Sequence, residues 1–339
     1  MKAVGYTQSL PISHPEALLD LQLPEPQPGP LDLLVRVAAV SVNPVDTKVR
    51  RNRAPQPGQP EVLGWDAVGT VQALGEAVTG FAVGDRVYYA GAINRPGANA
   101  ELHVVDHRIV ARAPVSLSDA EAAALPLTAI TAWELLFDRL GVAEGGGAGD
   151  SLLVLGAAGG VGSMLVQLAR ELTQLHIVGT ASRPETQDWV RGLGAHAVVD
   201  HTQPLRPQLV AAGLPQVSHI ASLTHTDQHW PALVDAVAPQ GRIALIDDPA
   251  TPLDVMALKR KSVSLHWELM FTRSLFGTPD IAEQGRLLAR VAALVDAGRL
   301  RTTLSQQLSP ICAATLREAH ALLESGRMRG KLVISGFGG

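Results

Sequence analysis

Three groups of residues in this chain have types and spacings that could do chemistry. The first is Leu152-Leu153-Val154-Leu155-Gly156-Ala157-Ala158-Gly159-Gly160-Val161-Gly162, an apolar run entering small residues, followed by the periodic Ser163-Met164-Leu165-Val166-Gln167-Leu168-Ala169. A strand, a turn without bulky side chains and a helix start, in that order, bring backbone amides and a positive helix end close to a pyrophosphate. The spacing Ala157-x-Gly159-x-x-Gly162 departs from the dinucleotide pattern at its first position. A nucleoside-triphosphate loop is excluded because no Gly-Lys-Ser/Thr follows. A glycine-rich structural turn is the plain alternative. Placement between strand and helix favours phosphate binding by Ala158, Gly159, Gly160, Val161 and Gly162.

The second group follows the next strand, Leu175 to Gly179, as Thr180-Ala181-Ser182-Arg183-Pro184-Glu185. An NAD site places an acid there, to bind the ribose hydroxyls. A hydroxyl (Ser182) and a guanidinium (Arg183) suit the 2′-phosphate of NADPH instead, with Thr180 counted in the cofactor-binding set. His201, after the third strand, could approach the same phosphate, and Leu223 and Thr224, where a later strand ends, complete the expected cofactor set. The alternative is a solvated Arg183, a surface His201 and Glu185 as the ribose ligand. The third group, His225-Thr226-Asp227-Gln228-His229, has metal-compatible spacing but reads better as a loop near the cofactor.

The elements that must position these groups divide into two textures. Up to roughly residue 120, short β-rich runs (Leu33 to Val40, Ala67 to Val71, Arg86 to Tyr89, Glu101 to Val105) alternate with turn signals such as Pro28-Gly29-Pro30 and Val83-Gly84-Asp85. Ser118-Asp119-Ala120-Glu121 is a capping box, and Leu127 to Leu140 has helical spacing. Gly145 to Gly149 reads as a flexible link. Strands and helices then alternate: Ser151 to Leu155, Gly162 to Leu172, His176 to Gly179, Gln187 to Leu193, Ala197 to Asp200, His219 to Leu223, Trp230 to Val237 and Arg242 to Ile246. That order predicts a parallel, doubly wound sheet. Helices over Ile281 to Ala297 and Ala313 to Ser325, and a strand over Lys331 to Ile334, end the chain.

Composition narrows the function classes. The 339 residues exceed one comfortable core, and a hydrophobic share of 46% with 18% charged residues excludes long disorder. A net charge of -4 gives no footprint for nucleic acid or anionic membrane. The single cysteine, Cys312, allows no intrachain disulfide and no site built from several thiolates. Without a signal-peptide core or a long apolar span, a cytoplasmic protein is expected.

Several strings together resemble the quinone oxidoreductase branch of the medium-chain dehydrogenase/reductases, and within it the group called zinc-type alcohol dehydrogenase-like. They are Ser41-Val42-Asn43-Pro44-Val45-Asp46, Gly75 to Val87 with its Gly84-Asp85-Arg86-Val87, Ala124-Leu125-Pro126-Leu127-Thr128-Ala129, Gly156 to Gly162, and Gly330-Lys331-Leu332-Val333-Ile334. The resemblance implies an α/β chain in two domains. One is a GroES-like, mostly β domain over 1–125, completed by 271–339, and the other a Rossmann NADP-binding domain over 126–270, with the active-site cleft between them. It also implies a homodimer or homotetramer joined through an edge such as Ser262 to Trp267, though an internal strand is the alternative there. Thr131 matches a family threonine near the nicotinamide.

The positions that hold catalytic zinc in metal-dependent relatives fall on Asn43, Trp65-Asp66 and Leu127, a donor set that cannot hold the ion. The expectation is therefore zinc-free transfer of hydride from NADPH to a small electrophile, a quinone or an α,β-unsaturated carbonyl. Asn43 is the candidate donor to the developing oxyanion, or else pins a turn before Pro44. Lys48 is a candidate proton donor, or else a surface lysine. A zinc-dependent alcohol dehydrogenase and a non-catalytic NADPH-binding protein are the rival readings.

Overall fold

The computed structural model describes Met1–Gly338. The chain forms two compact units, Met1–Ile130 with Phe271–Gly339, and Thr131–Met270. It is an α/β protein whose first unit is GroES-like and whose second carries the parallel sheet.

In the first unit, strand Asp32–Ser41 pairs antiparallel with Ala67–Leu74, which continues to Arg86–Tyr89 and Val110–Arg112, while Leu102–Asp106 pairs along its other half. The last strand, Lys331–Ser335, returns to this sheet, with Val333 opposite Ser41 and Ile334 opposite Val40. That register puts Lys331 beside Val42 and Asn43. A smaller sheet of Lys2–Tyr6, Leu19–Gln22 and Glu61–Val62 was not legible in the sequence. Its strands are short, and two of them alternate between half-buried and exposed or half-buried and buried positions without a strong apolar run.

A helix, Pro44–Asn52, stands where a turn was the alternative for Asn43. Its start is written in the chain: Asn43 as N-cap, Pro44 at the first helical position, and Asp46 three residues on, whose carboxylate accepts the Asn43 backbone N–H at 2.7 Å.

The second unit is a six-stranded parallel sheet in the spatial order Ala197–Val199, His176–Thr180, Ser151–Leu155, Val217–Ser222, Val237–Leu245, Ser264–Trp267. Ser151–Leu155 lies in its middle and every residue of it is buried, as a strand covered by helices on both faces must be. Leu153, Ile220, Ile243, Trp230 and Leu233 share one core cluster. Each such side chain contributes about 1.5–3 kcal/mol by leaving water. Ser264–Trp267 is at the sheet edge.

Two local expectations need correction. The helical stretch after Pro126 is α-helical only to Trp133; Glu134–Arg139 widens to a π-helix, with Leu140 N–H donating to Leu135 O at 2.9 Å. The Gly145 to Gly149 run is not a free link: Gly145 N–H donates to Leu172 O and Gln174 N–H to Gly146 O, both at 2.7 Å. The run Asp119–Arg139 has the length and apolar content of a membrane span, yet 89% of its window is buried in the protein, as core helices are.

Candidate functional site

The glycine loop of the second unit leaves the buried end of Ser151–Leu155 at Gly156, whose φ of +83° is a region L side chains rarely adopt. The helix that follows, Gly160–Leu172, is N-capped by Gly159 and has no acidic residue in its first turn. Ala158, Gly159, Gly160 and Val161 are partly exposed, whereas Ala157 and Gly162 are buried. Gly162 is required by packing, since a Cβ there would lie 2.5 Å from Gly156 O and 2.6 Å from Ala157 Cα. Gly159 differs. A Cβ on it would meet only Gly156 O, at 3.5 Å, so a side chain would occupy only the open space in front of the amides. The Gly159 N–H itself donates to Gly156 O at 3.2 Å, and the neighbouring amides at this helix N-terminus fit a dinucleotide pyrophosphate.

The residues expected around the loop divide into supports and exposed groups. Thr180 is buried and its hydroxyl accepts the Gly156 N–H at 3.1 Å. It braces the loop from behind, a supporting position within the expected cofactor-binding set. Leu223 N–H donates to Leu155 O at 3.3 Å, and Thr224 packs against Gly156. Ser182 is exposed, and Arg183 pairs with Glu185 at 3.0 Å with 40% of its side chain accessible. No acid stands at Ala181 or Ser182.

Ala181 N–H donates to Val199 O, so the segment carrying Arg183 runs beside the one carrying His201. One group was not anticipated. Asp247 accepts from Thr226 N–H at 2.9 Å and from the Thr226 hydroxyl at 2.5 Å, and that hydroxyl also bonds Ser222 at 2.7 Å, fixing the turn that holds Leu223 and Thr224. Thr131 is buried on the helix Pro126–Trp133.

The first unit holds a fully buried polar network built on Asn43, Asp46, Asp66 and Lys331. Lys331 Nζ donates to Asn43 Oδ1 at 2.5 Å and to Val42 O at 2.7 Å, and lies 3.1 Å from Asp66 Oδ2. Asn43 Nδ2 donates to Asp66 Oδ2 at 2.9 Å and to Ser41 O at 3.3 Å. Asp66 Oδ1 accepts the Leu127 N–H at 2.7 Å, and Asp46 Oδ1 accepts the Gly64 N–H at 3.0 Å. Both N–H groups of the Asn43 amide are thus engaged inside the protein, which corrects its expected role as donor to a substrate oxygen. Lys48 is half-buried on the same helix, two residues beyond Asp46.

Burial pushes the Asp66 carboxyl up and the Lys331 ammonium down, each toward its neutral form, and the charge of each opposes the other's shift. Burial likewise pushes Asp46 up to about 7, against the pull of two backbone N–H donors and Lys331. Sequence reasoning placed Lys331 in a strand and gave it no role. The available signal was a lysine heading an apolar run, since lysine is almost never fully buried unless paired.

Comparison with known proteins gives family matches over both units. Residues 29–115 match the alcohol dehydrogenase GroES-like domain and residues 193–334 the zinc-binding dehydrogenase family. A zinc-type alcohol dehydrogenase-like protein of Staphylococcus aureus is 38% identical across 99% of this chain and 100% of its own length. A quinone oxidoreductase of Pseudomonas aeruginosa is 31% identical across 94% of this chain and 96% of its own. A crystal structure from Rhizobium etli CFN 42, provisionally named a zinc-dependent alcohol dehydrogenase, is 58% identical with a TM-score of 0.96, covering 100% of this chain and 98% of that one.

Those names raise a metal that the donor atoms do not accommodate. Trp65 Nε1 is a donor with no lone pair and bonds Ala92 O at 3.1 Å; Leu127 offers only its backbone; Asn43 and Asp66 face an ammonium. Among the described residues no group of three or more His, Cys, Asp or Glu side chains could hold a metal ion.

Proposed function

Because this chain belongs to the medium-chain dehydrogenase/reductase superfamily, in its quinone oxidoreductase-like branch, and is an NAD(P)-dependent oxidoreductase, we propose that it uses NADPH to reduce a quinone or an α,β-unsaturated carbonyl without a metal. The observation that carries the reading is Lys331, whose ammonium lies against Asn43 and Asp66, two of the positions matched to the zinc site of metal-dependent relatives. A single positive charge with its three N–H groups directed at protein oxygens cannot polarise a substrate oxygen as an open zinc position does. Removing hydride from an alcohol at neutral pH needs such polarisation. A conjugated acceptor takes hydride with hydrogen-bond stabilisation alone.

Bound NADPH supplies the hydride. The chain's residues do the rest: the amides of Ala158, Gly160, Val161 and Gly162 and the helix end hold the pyrophosphate, with Gly159 leaving the space in front of them open, while Ser182 and Arg183 select the 2′-phosphate. The exposed Arg183–Glu185 pair contributes under about 1 kcal/mol, so Arg183 is readily given up to a phosphate dianion. With Asn43 committed to the network, Lys48 is the remaining candidate to meet the acceptor's oxygen. The chain works as a homodimer or homotetramer through the edge strand Ser264–Trp267, where Trp267 is exposed.

The test is consumption of NADPH and NADH with a panel of quinones and enones, alongside oxidation of primary and secondary alcohols, on protein of measured zinc content. Turnover of NADPH with a conjugated acceptor by zinc-free protein is expected. Alcohol oxidation that rises with stoichiometric zinc would overturn the proposal.

A further inference from the structure

Three histidines gather at the carboxyl end of the parallel sheet. His201 follows Asp200, just beyond the strand Ala197–Val199, whose neighbour His176–Thr180 leads into Ser182 and Arg183. His229 lies in the first turn of helix Thr226–Ala236, with its ring edge-on to that of His201 at 5.8 Å. His225 caps the same helix in the left-handed region, φ 49° and ψ 37°, and its Nδ1 meets the Thr224 hydroxyl at 2.7 Å. A non-glycine residue held there costs about 1–3 kcal/mol and persists only where surroundings enforce it. His201 Nδ1 is buried without a hydrogen-bond partner. The donor geometry does not make this a metal site.

Burial holds His201 and His229 below the ordinary histidine range, and the neighbouring imidazoles push the same way. The acids facing them pull weakly in the other direction. Asp200 faces His201 but accepts from Thr202 N–H and hydroxyl at 2.9 and 2.7 Å; Asp227 faces His229; Asp247, at the same turn, is engaged by Thr226. Arg206 on the adjacent helix Leu205–Ala211 pairs with Asp235 at 2.9 Å. His201 and His229 are therefore biased toward their neutral forms, beside the segment proposed above to read the 2′-phosphate.

We propose that His201, His225 and His229 form a proton-accepting face for the 2′-phosphate, so that NADPH binding takes up protons and the preference for NADPH over NADH is set by pH. The inference rests on the NADPH reading above and adds two residues and a regulation to it. An imidazolium offers two N–H donors to a phosphate dianion, whereas the neutral ring offers one. The dianion raises the histidine pKa in the complex above that of the free protein. The extra affinity is then fully present below the free-protein pKa and is lost as pH rises through the pKa of the complex.

Isothermal titration of NADPH and of NADH, at several values between about pH 6.5 and pH 8.5 and in buffers of different ionisation enthalpy, measures the uptake directly. NADPH is expected to bind with net proton uptake, its affinity rising about three- to tenfold for each pH unit lowered, while NADH binds without that trend. The cofactor's own phosphate titrates near about 6, so the difference between the native protein and the His225→Gln/His229→Gln variant is the reading. In that variant the uptake should fall and the pH trend flatten, with NADH affinity unchanged as the control for folding, and with NADPH still favoured at the alkaline end through Arg183. A preference for NADPH that is the same at every pH, or uptake unaltered in the variant, would overturn the inference and leave the cofactor reading standing. Equal binding of NADH and NADPH throughout would overturn both.

Discussion

Replacing Lys331 by methionine tests whether a buried ammonium holds the first unit together where relatives place a metal. Methionine keeps most of the length and removes the charge. The loss leaves Asn43 Oδ1, Val42 O and Asp66 Oδ2 without the donor now at 2.5, 2.7 and 3.1 Å, in a place where Asp66 is wholly inaccessible to water. Breaking a buried pair by removing one partner costs about 3–5 kcal/mol, because the remaining charge is uncompensated. At about 2–4 °C per kcal/mol for a unit of this size, Tm should fall by roughly 6–20 °C at neutral pH. The sign of the pH dependence is also fixed. Without the ammonium, the folded-state pKa of Asp66 rises further above its unfolded value, so the folded state binds the extra proton and the deficit shrinks as pH falls toward the unfolded carboxyl range. Asp66→Asn in the same chain removes the orphaned charge and should recover more than half of the loss. Thermal unfolding of both single variants and the double variant, each at two pH values, gives the coupling. A loss below about 1 kcal/mol for Lys331→Met, or strict additivity with Asp66→Asn, would refute the ion-pair account.

Arg183→Glu should lower the NADPH to NADH affinity ratio about ten- to hundredfold, as expected for losing a charge-assisted contact and gaining repulsion, measured by fluorescence titration of both nucleotides. Gly162→Val places a Cβ 2.5 Å from Gly156 O and should destabilise the second unit by about 1–3 kcal/mol while abolishing dinucleotide binding, read by thermal shift with and without NADPH. Asp46, raised to about 7, makes the folded state bind more protons than the unfolded one between the unfolded carboxyl pKa and about 7, so this group's contribution falls as pH rises through that window. The Asp46→Asn variant should lose that slope in urea unfolding. Asn43→Cys with Lys331 in place should still carry substoichiometric zinc by elemental analysis, since the ammonium competes for the same atoms.

The parallel sheet was legible because its strands are short, apolar and separated by amphipathic helices, and because Gly156 to Gly162 falls at a junction where a buried strand end meets a helix start. Helix Pro44–Asn52 was written in Asn43-Pro44-x-Asp46, but Asn-Pro at its start signals a turn as readily as a helix cap. The small first sheet was not legible, since its pairing of Lys2–Tyr6 with Leu19–Gln22 and Glu61–Val62 depends on contacts distant in sequence. The polar network was half legible. Asn43, Trp65, Asp66 and Leu127 stood out as poor metal donors, but the partner that satisfies Asn43 and Asp66 lies 288 residues from Asn43. Only the return of the last strand to Asp32–Ser41 brings it near, and no spacing rule reaches that far. The supporting position of Thr180 was not legible for a related reason: a hydroxyl at a strand end can face a ligand or the loop behind it, and residue type does not distinguish the two.

The same network limits where catalysis can originate. An ammonium with all its N–H groups directed at Asn43, Val42 and Asp66 stabilises the fold but has no donor left for a reacting oxygen. The amide of Asn43 is closed in the same way, and Trp65 is tied to Ala92 O. Of the first unit's candidates, that leaves Lys48, on helix Pro44–Asn52, as the proposed contact to the acceptor. Under the proposed reduction of a conjugated acceptor, rate enhancement comes mainly from holding the hydride donor in one orientation against that acceptor. Buried ion pairs often contribute no more stability than apolar residues of the same volume. Here the pair has a second consequence, because it leaves the Asp66 carboxylate and the Asn43 amide oxygen with a partner built into the chain.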